Sequence, residues 1–307
     1  LAEGQLDDAA VDRVVAAKGE ALRRSSALSF YEPGSGLADV GGLGELKHWL
    51  HDRRRAFGDE ARQFGLPVPR GLLLLGVQGC GKSLSAKAVA REWRFPLLRL
   101  DLAAAFGDPT QSPELTVRTA TQVAESLAPA ILWIDEIEKG FAASDQDATA
   151  RRVFGSFLTW LAEKHAPVFV VATANDVVNL PPELLRRGRF DDLFFVDLPN
   201  DFERVEIFSI HLKRAGRDPS HFMLDELAAQ SERLSGAEIE QVVSAALYTA
   251  FAEDRDLTDA DLSNAITETV PLYETYEERI KELRDWARHR ARRATVDPRL
   301  VELFQTT

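Results

Sequence analysis

Between Gly71 and Pro199, short and wholly apolar runs alternate with longer amphipathic stretches. Five runs read as strands: Leu72 to Gly76, Pro96 to Leu100, Ala130 to Ile134, Val168 to Ala174 and Leu193 to Leu198. They are apolar at nearly every position rather than at every second one, which suits strands covered on both faces by helices. The predicted fold class is therefore α/β, a doubly wound five-stranded parallel sheet with flanking helices, and ligands are expected at the carboxyl ends of its strands.

After Pro199 the strand pattern stops. Asp201 to Ala215, Leu224 to Ser231, Gly236 to Ala252 and Thr258 to Thr269 carry helical spacing and predict a small all-α unit that Pro271 closes. A final amphipathic helix is expected to put Tyr276, Ile280, Leu283 and Ala287 on one face. The basic run Arg288, Arg290, Arg292 and Arg293 lies near its end. Cations suit a helix C-terminus or a solvated face, with an anionic partner as the alternative.

Ahead of the sheet, Val11, Val14, Val15 and Leu22 predict a helix from about Leu6 to Ser26, capped by Asp7 or Asp8. Phe30 to Gly36, with Pro33, Gly34 and Gly36, reads as a linker. A helix from Gly44 to about Ala56 follows, with Trp49 and Leu50 as its core residues.

Composition narrows the picture without redirecting it. The 307 residues carry a formal net charge of −12, which argues against a protein that coats nucleic acid and favours protein partners. The single cysteine, Cys80, excludes an intrachain disulfide framework and fits a reducing compartment. No run of about eighteen apolar residues is present, and nothing resembles a signal peptide, so a cytoplasmic protein without a membrane segment is expected. The chain starts at Leu1, and a further upstream domain is expected.

The chemistry is concentrated at strand ends. Directly after Leu72-Leu73-Leu74-Leu75 comes GVQGCGKS, Gly76 to Ser83, a phosphate-binding loop between a buried strand and a helix. Its glycines Gly76, Gly79 and Gly81 let successive N–H groups point at phosphate oxygens, joined by the positive end of the following helix. Lys82 would supply a point charge and Ser83 a hydroxyl for Mg²⁺. Gln78, Cys80 and Leu84 complete the loop's predicted contacts. Within it Cys80 reads as a small filler, with a redox switch as the alternative.

The run ILWIDE, Ile131 to Glu136, ends in two carboxylates at a strand tip, where charges need a partner such as a metal. Asp135 would hold the water shell of Mg²⁺ and Glu136 would polarise an attacking water. The run VFVVATAN brings Asn175 to the same edge, able to hold that water or to sense the γ-phosphate. Arg186 and Arg189 flank Gly188 before the last strand. They read either as arginines that serve a neighbouring subunit or as a solvated turn neutralised in cis by Asp191 and Asp192.

In this order the motifs resemble those of the AAA+ ATPases, from Ala38 to Thr269. The resemblance implies a P-loop NTPase sheet followed by a helical lid, with GVQGCGKS as Walker A, WIDE as Walker B and Asn175 as sensor 1. It also implies that DVGG (Asp39, Val40, Gly41, Gly42) lines the adenine pocket and that SGAE at Ser235 to Glu238 contributes Gly236 and Ala237 near base and ribose. Arg186 and Arg189 look like the trans-acting arginines of that family.

RRVFGSFLTWL, KHAPVFVVATAND and the tail PLYETYEERIKELRDWARHRAR resemble more narrowly the Ycf-type AAA ATPases of cyanobacteria, plastids and other bacteria. Where such a protein is plastid-encoded, the stroma is the expected location. The implied domains are 1–30 as the helical end of a missing or truncated N-terminal domain, 31–200 as the nucleotide-binding domain, 201–270 as the lid and 271–307 as a helical extension.

ATP and Mg²⁺ are the implied cofactors. A homo-oligomeric ring of six that remodels an unidentified protein partner is the implied assembly. The alternatives are a regulatory binding module with slow hydrolysis and, more weakly, a nucleic-acid-dependent ATPase. Phe106-Gly107 stands where threading motors carry a pore aromatic, but Asp108-Pro109 and Gln111 to Glu114 depart from the usual continuation, so a core phenylalanine is the competing reading.

Overall fold

The four leucines before the glycine-rich loop split between two cores, which is why the run is apolar throughout. The computed structural model of the chain describes residues 27–32, 34, 36–106, 112–141, 148–178, 180–186 and 188–295. In strand β2 (Gly71–Gly76), Leu73 and Leu75 join Leu132, Val170 and Phe157 on one face of the sheet, whereas Leu72 and Leu74 join Trp49, Trp93 and Phe169 on the other.

The other four expected strands form as β3 (Leu97–Leu100), β4 (Ala130–Ile134), β5 (Val168–Ala174) and β6 (Asp192–Val196). Among the described residues the sheet has seven strands, two more than expected. Its order is β1-β3-β4-β5-β2-β6-β7, with β1 (Leu28–Tyr31) antiparallel to β3 and every other pair parallel.

Both additions sit at edges and correct the sequence reading. Phe30 and Tyr31 are not linker but the end of an edge strand, Leu28–Tyr31, held by backbone pairing to Leu97–Leu100 and by burial of Leu28, and only Glu32 onward leaves the sheet. Arg292–Arg293 forms β7 beside β6, so these two residues leave the terminal helix. Arg292 pairs with Asp192 at 2.9 Å and stacks over the Phe194 ring.

Helices cover the sheet: α1 (Gly44–Arg54), α2 (Asp59–Phe64), α3 (Lys82–Trp93), α4 (Leu102–Phe106), α5 (Pro113–Ser126), α6 (Ile137–Phe141) and α7 (Ala148–Glu163). Phe106 packs partly buried against the core, while Gly107 and the Asp108-Pro109 step lie outside the described residues, as does the expected helix from Leu6 to Ser26.

The helical unit consists of α8 (Asp201–Arg214), α9 (Leu224–Gln230), α10 (Gly236–Ala252) and α11 (Asp259–Glu268), built round Phe208, Leu212, Ile239, Val242 and Leu262. Asn200, Ser235 and Thr258 start three of these helices with capping boxes, whose acids are Glu203, Glu238 and Asp261.

The last helix, α12 (Leu272–Ala287), is kinked at Tyr276, where φ is −120°. The kink rotates Tyr276 outward and buries Tyr273 in its place, together with Ile280, Leu283 and Ala287. No described helix is long and apolar enough to cross a membrane.

Candidate nucleotide site

The loop between β2 and α3 holds its shape through glycine. Gly79 and Gly81 are left-handed, with φ of +77° and +87°, and a Cβ on Gly76 would lie 1.9 Å from the carbonyl oxygen of Val196. Lys82 is 5 % exposed, and its Nζ donates to the carbonyls of Gly76 at 2.8 Å and Val77 at 2.6 Å. Burial lowers its pKa to about 8, because a desolvated ammonium sheds its proton more easily. Cys80 is buried beside the Gln78 carbonyl, and burial pushes its thiol up to about 12. A raised pKa disfavours the thiolate, the form that reacts in redox exchange.

Facing the loop, the ends of β4 and β5 carry a connected set of polar groups. Ser83 Oγ donates to Asp135 Oδ1 at 2.7 Å, and Thr173 Oγ1 donates to the same oxygen at 2.6 Å. The Glu136 N–H donates back to Thr173 Oγ1 at 2.9 Å, and Asn175 Nδ2 donates to Glu136 Oε1 at 3.0 Å. Glu136 itself is left-handed, with φ of +49°, an uncommon conformation for a side chain that must be aimed.

Two members of this set are absent from the sequence reading. Thr173 is the one hydroxyl in an otherwise apolar strand, and a buried hydroxyl needs partners, which was the available signal. Glu138 is 5 % exposed; its Oε1 accepts the Asn175 backbone N–H at 3.0 Å, while its Oε2 has no partner among the described residues. Burial raises its pKa, offset in part by that N–H bond.

The loop, the acids and the helical unit enclose a cavity of about 430 Å³. Its wall takes Gln78, Gly79, Cys80, Gly81, Lys82, Ser83 and Leu84 from the loop, and Asp135, Glu136, Thr173 and Asn175 from the strand ends. On the far side stand Asp39, Val40 and Gly41, with Ile207, Ile210, His211, Gly236, Ala237 and Glu240 from the helical unit. Gly76 stays outside the cavity wall and acts through its carbonyl on Lys82.

Local packing explains the small residues here. A Cβ on Gly41 would lie 2.5 Å from Ile207 Cγ1, and Gly42, at φ +66°, has Glu203 against it. The Glu203 carboxylate accepts from Leu43 N at 2.9 Å and from Thr295 Oγ1 at 2.9 Å, tying the DVGG turn to α8. Ala237 N donates to Gly79 O at 3.0 Å, which docks the start of α10 directly on the loop. Burial lowers the pKa of His211, so its imidazole tends towards the neutral form.

Arg186 and Arg189 are not gathered into this cavity. Arg186 is exposed and carries no side-chain hydrogen bond among the described residues, and Arg189 donates to the Glu183 carbonyl. The acids expected to neutralise them are otherwise engaged: Asp191 accepts from the N–H groups of Arg70 and Gly71, and Asp192 pairs with Arg292.

A parallel sheet with a phosphate-binding loop on one strand and an acid pair at the tip of another defines the P-loop nucleotide-binding class, and residues 72–198 match the family model "ATPase family associated with various cellular activities (AAA)". The chain belongs to the AAA family. Within it the chain is 48 % identical over 281 residues to the AAA domain-containing protein ycf46 of Guillardia theta, an alignment covering 90 % of this chain and 56 % of that protein. The ycf46 protein of Pyropia yezoensis is 44 % identical over 297 residues, covering 95 % and 60 %. A proteasome-activating nucleotidase of Saccharolobus islandicus is 35 % identical over 215 residues, covering 67 % and 54 %. The chain spans a little over half the length of these curated relatives.

Proposed function

We propose that this protein hydrolyses ATP to ADP and phosphate with Mg²⁺, as one subunit of a six-membered ring that remodels a protein partner. The observation that carries the hydrolytic part is the hydrogen-bonded set Ser83, Asp135, Thr173, Glu136 and Asn175, opposite a buried loop lysine. Hydrolysis needs a metal ligand pair, a group to orient water and a donor near the terminal phosphate, and this set supplies all three.

The donor set also fits magnesium. Among the described residues no cluster of three or more His, Cys, Asp or Glu side chains could cage a metal. One hydroxyl and one carboxylate 2.7 Å apart instead suit an ion that takes its remaining ligands from water and phosphate oxygens. Mg²⁺ held by Ser83 and Asp135 would neutralise charge on the β- and γ-phosphates.

Each side chain then has a task. Lys82 and the loop N–H groups bind the phosphates and take up charge as the terminal phosphoryl group transfers. Glu136 orients the water and accepts its proton, and Asn175 fixes both Glu136 and the water. Thr173 and Glu138 keep Asp135 and the Asn175 backbone in register. Asp39, Val40, Gly41, Gly236 and Ala237 surround the base and ribose, so residues 31–200 and the helical unit 201–270 act as domain and lid, with 271–307 as an extension. Arg186 and Arg189 serve the site of a neighbouring subunit.

Glu136→Gln is expected to bind a fluorescent ATP analogue with unchanged affinity and to lose steady-state phosphate release by about 10²- to 10⁴-fold, the usual contribution of a general base. Undiminished turnover would overturn the assignment.

A second reading, a regulatory module that binds ATP and hydrolyses it slowly, is favoured by one observation: Glu136 is engaged by donors on both carboxylate oxygens. A rate unaffected by any polypeptide, with a partner bound only in the ATP state, would select it. Stimulation by DNA or RNA would select the nucleic-acid reading, which the net charge of −12 opposes.

A further inference from the structure

Two cavities meet at Glu136. The nucleotide cavity has Glu136 and Asn175 in its wall; a second cavity of about 370 Å³, beneath α12, shares both residues and adds Lys139 and Arg279. Lys139 does not reach the nucleotide cavity. It stands one turn beyond Glu136, at the start of α6, and its Nζ donates to Glu136 Oε2 at 2.6 Å while Asn175 Nδ2 donates to Oε1 at 3.0 Å. The carboxylate is thus held between a neutral donor that lines both cavities and a cation that lines only the second.

The surroundings leave this arrangement to Lys139. Arg279, the other cation in the second cavity, is committed to Asp176. Glu138 turns inward to the Asn175 backbone. The Lys139 side chain is 68 % exposed, so its ammonium is able to exchange Glu136 for water without desolvation.

We infer that Lys139 is a positioning residue that restrains Glu136. It holds Oε2 on the side of the second cavity, and turnover requires this ion pair to open so that the oxygen can accept a hydrogen bond from the attacking water. When the pair opens, the ammonium keeps its proton and is solvated, and no bond is made or broken until water attacks. The inference rests on the assignment of Glu136 as the group that orients water.

The test compares Lys139→Met and Lys139→Arg with the unaltered chain at one protein concentration and saturating Mg-ATP. Since exposed ion pairs are weak, Lys139→Met is expected to raise kcat by only about two- to fivefold. KM and the affinity for a fluorescent ATP analogue should stay unchanged. Lys139→Arg restores the pair and is expected to return kcat to the starting value. Salt screens exposed charges over about 8 Å at physiological ionic strength, so the unaltered chain should gain kcat as salt rises whereas Lys139→Met should not.

Equal or lower kcat in Lys139→Met, or equal salt response in the two proteins, overturns the restraint. Glu136→Gln separates this failure from that of the underlying assignment. If Glu136→Gln is dead and Lys139→Met is not faster, the restraint alone falls; if Glu136→Gln still turns over, the assignment of Glu136 falls with it.

Discussion

At the scale of single residues, burial holds Lys82 and Lys164 below the ordinary lysine pKa, one at each end of the sheet. Lys82 lies in the phosphate loop, and Lys164, whose pKa is lowered to about 8 from 10.5, lies where β5 begins. Between those two values the folded chain holds Lys164 neutral while the unfolded chain protonates it. The unfolded state then binds more protons, and stability rises with pH. Urea denaturation from pH 7 to 10.5 should show this chain gaining stability relative to Lys164→Met, with the gain starting near pH 8. Parallel curves for the two proteins would remove Lys164 as the source.

At the same scale, sequence alone located Asp135, Glu136 and Asn175 because each ends an apolar run. It did not single out Glu138 or Lys139. One turns inward to a backbone N–H and the other outward to a carboxylate, and that division depends on how β5 lies beside β4.

At the scale of elements, the helical unit meets the phosphate loop directly through α10 and is linked to the sheet through α12. Ala237 N meets the Gly79 carbonyl, the Leu272 N–H donates to Glu238 Oε1 at 2.6 Å, and Arg284 pairs with Asp197 at 2.9 Å. The helices themselves depend on their caps. Asn200 Oδ1 accepts from Glu203 N at 3.0 Å, and Glu203 in turn holds the DVGG turn. Asn200→Ala should therefore cost about 1 kcal/mol in chemical denaturation, as loss of a helix N-cap usually does. It should also weaken ATP-analogue binding slightly, through Glu203. An unchanged denaturation midpoint would show that the cap carries no stability here. The boundaries of α8 to α11 were legible to within a residue or two because capping boxes and 3.6-residue spacing are local signals. The kink at Tyr276 was not, since the pattern fits either Tyr273 or Tyr276 facing inward and only packing against the sheet selects Tyr273.

At the scale of the whole molecule, the exposed Arg186 makes no side-chain hydrogen bond among the described residues, which is what a site completed between subunits would leave. If the proposed ring completes the site, specific activity should rise with protein concentration. In mixtures, Arg186→Ala subunits should also lower the turnover of active neighbours by more than their own share. A rate strictly proportional to the active fraction would refute the contribution in trans, where an arginine finger is worth about 10³- to 10⁵-fold. In the proposed ring, a neighbour that displaced Lys139 would link assembly to release of the Glu136 carboxylate.

The amino-acid sequence by itself determined the phosphate loop, the five central strands, the acid pair and the capped helices. These are encoded by neighbours along the chain, where runs of apolar side chains, glycine spacing and capping residues act over a few positions. Tertiary structure alone decided the edge strands β1 and β7, the inward face of α12 and the partners of Thr173, Glu138 and Lys139. Each of these depends on pairing between distant segments, where the local pattern allows more than one arrangement and the burial of polar groups selects among them.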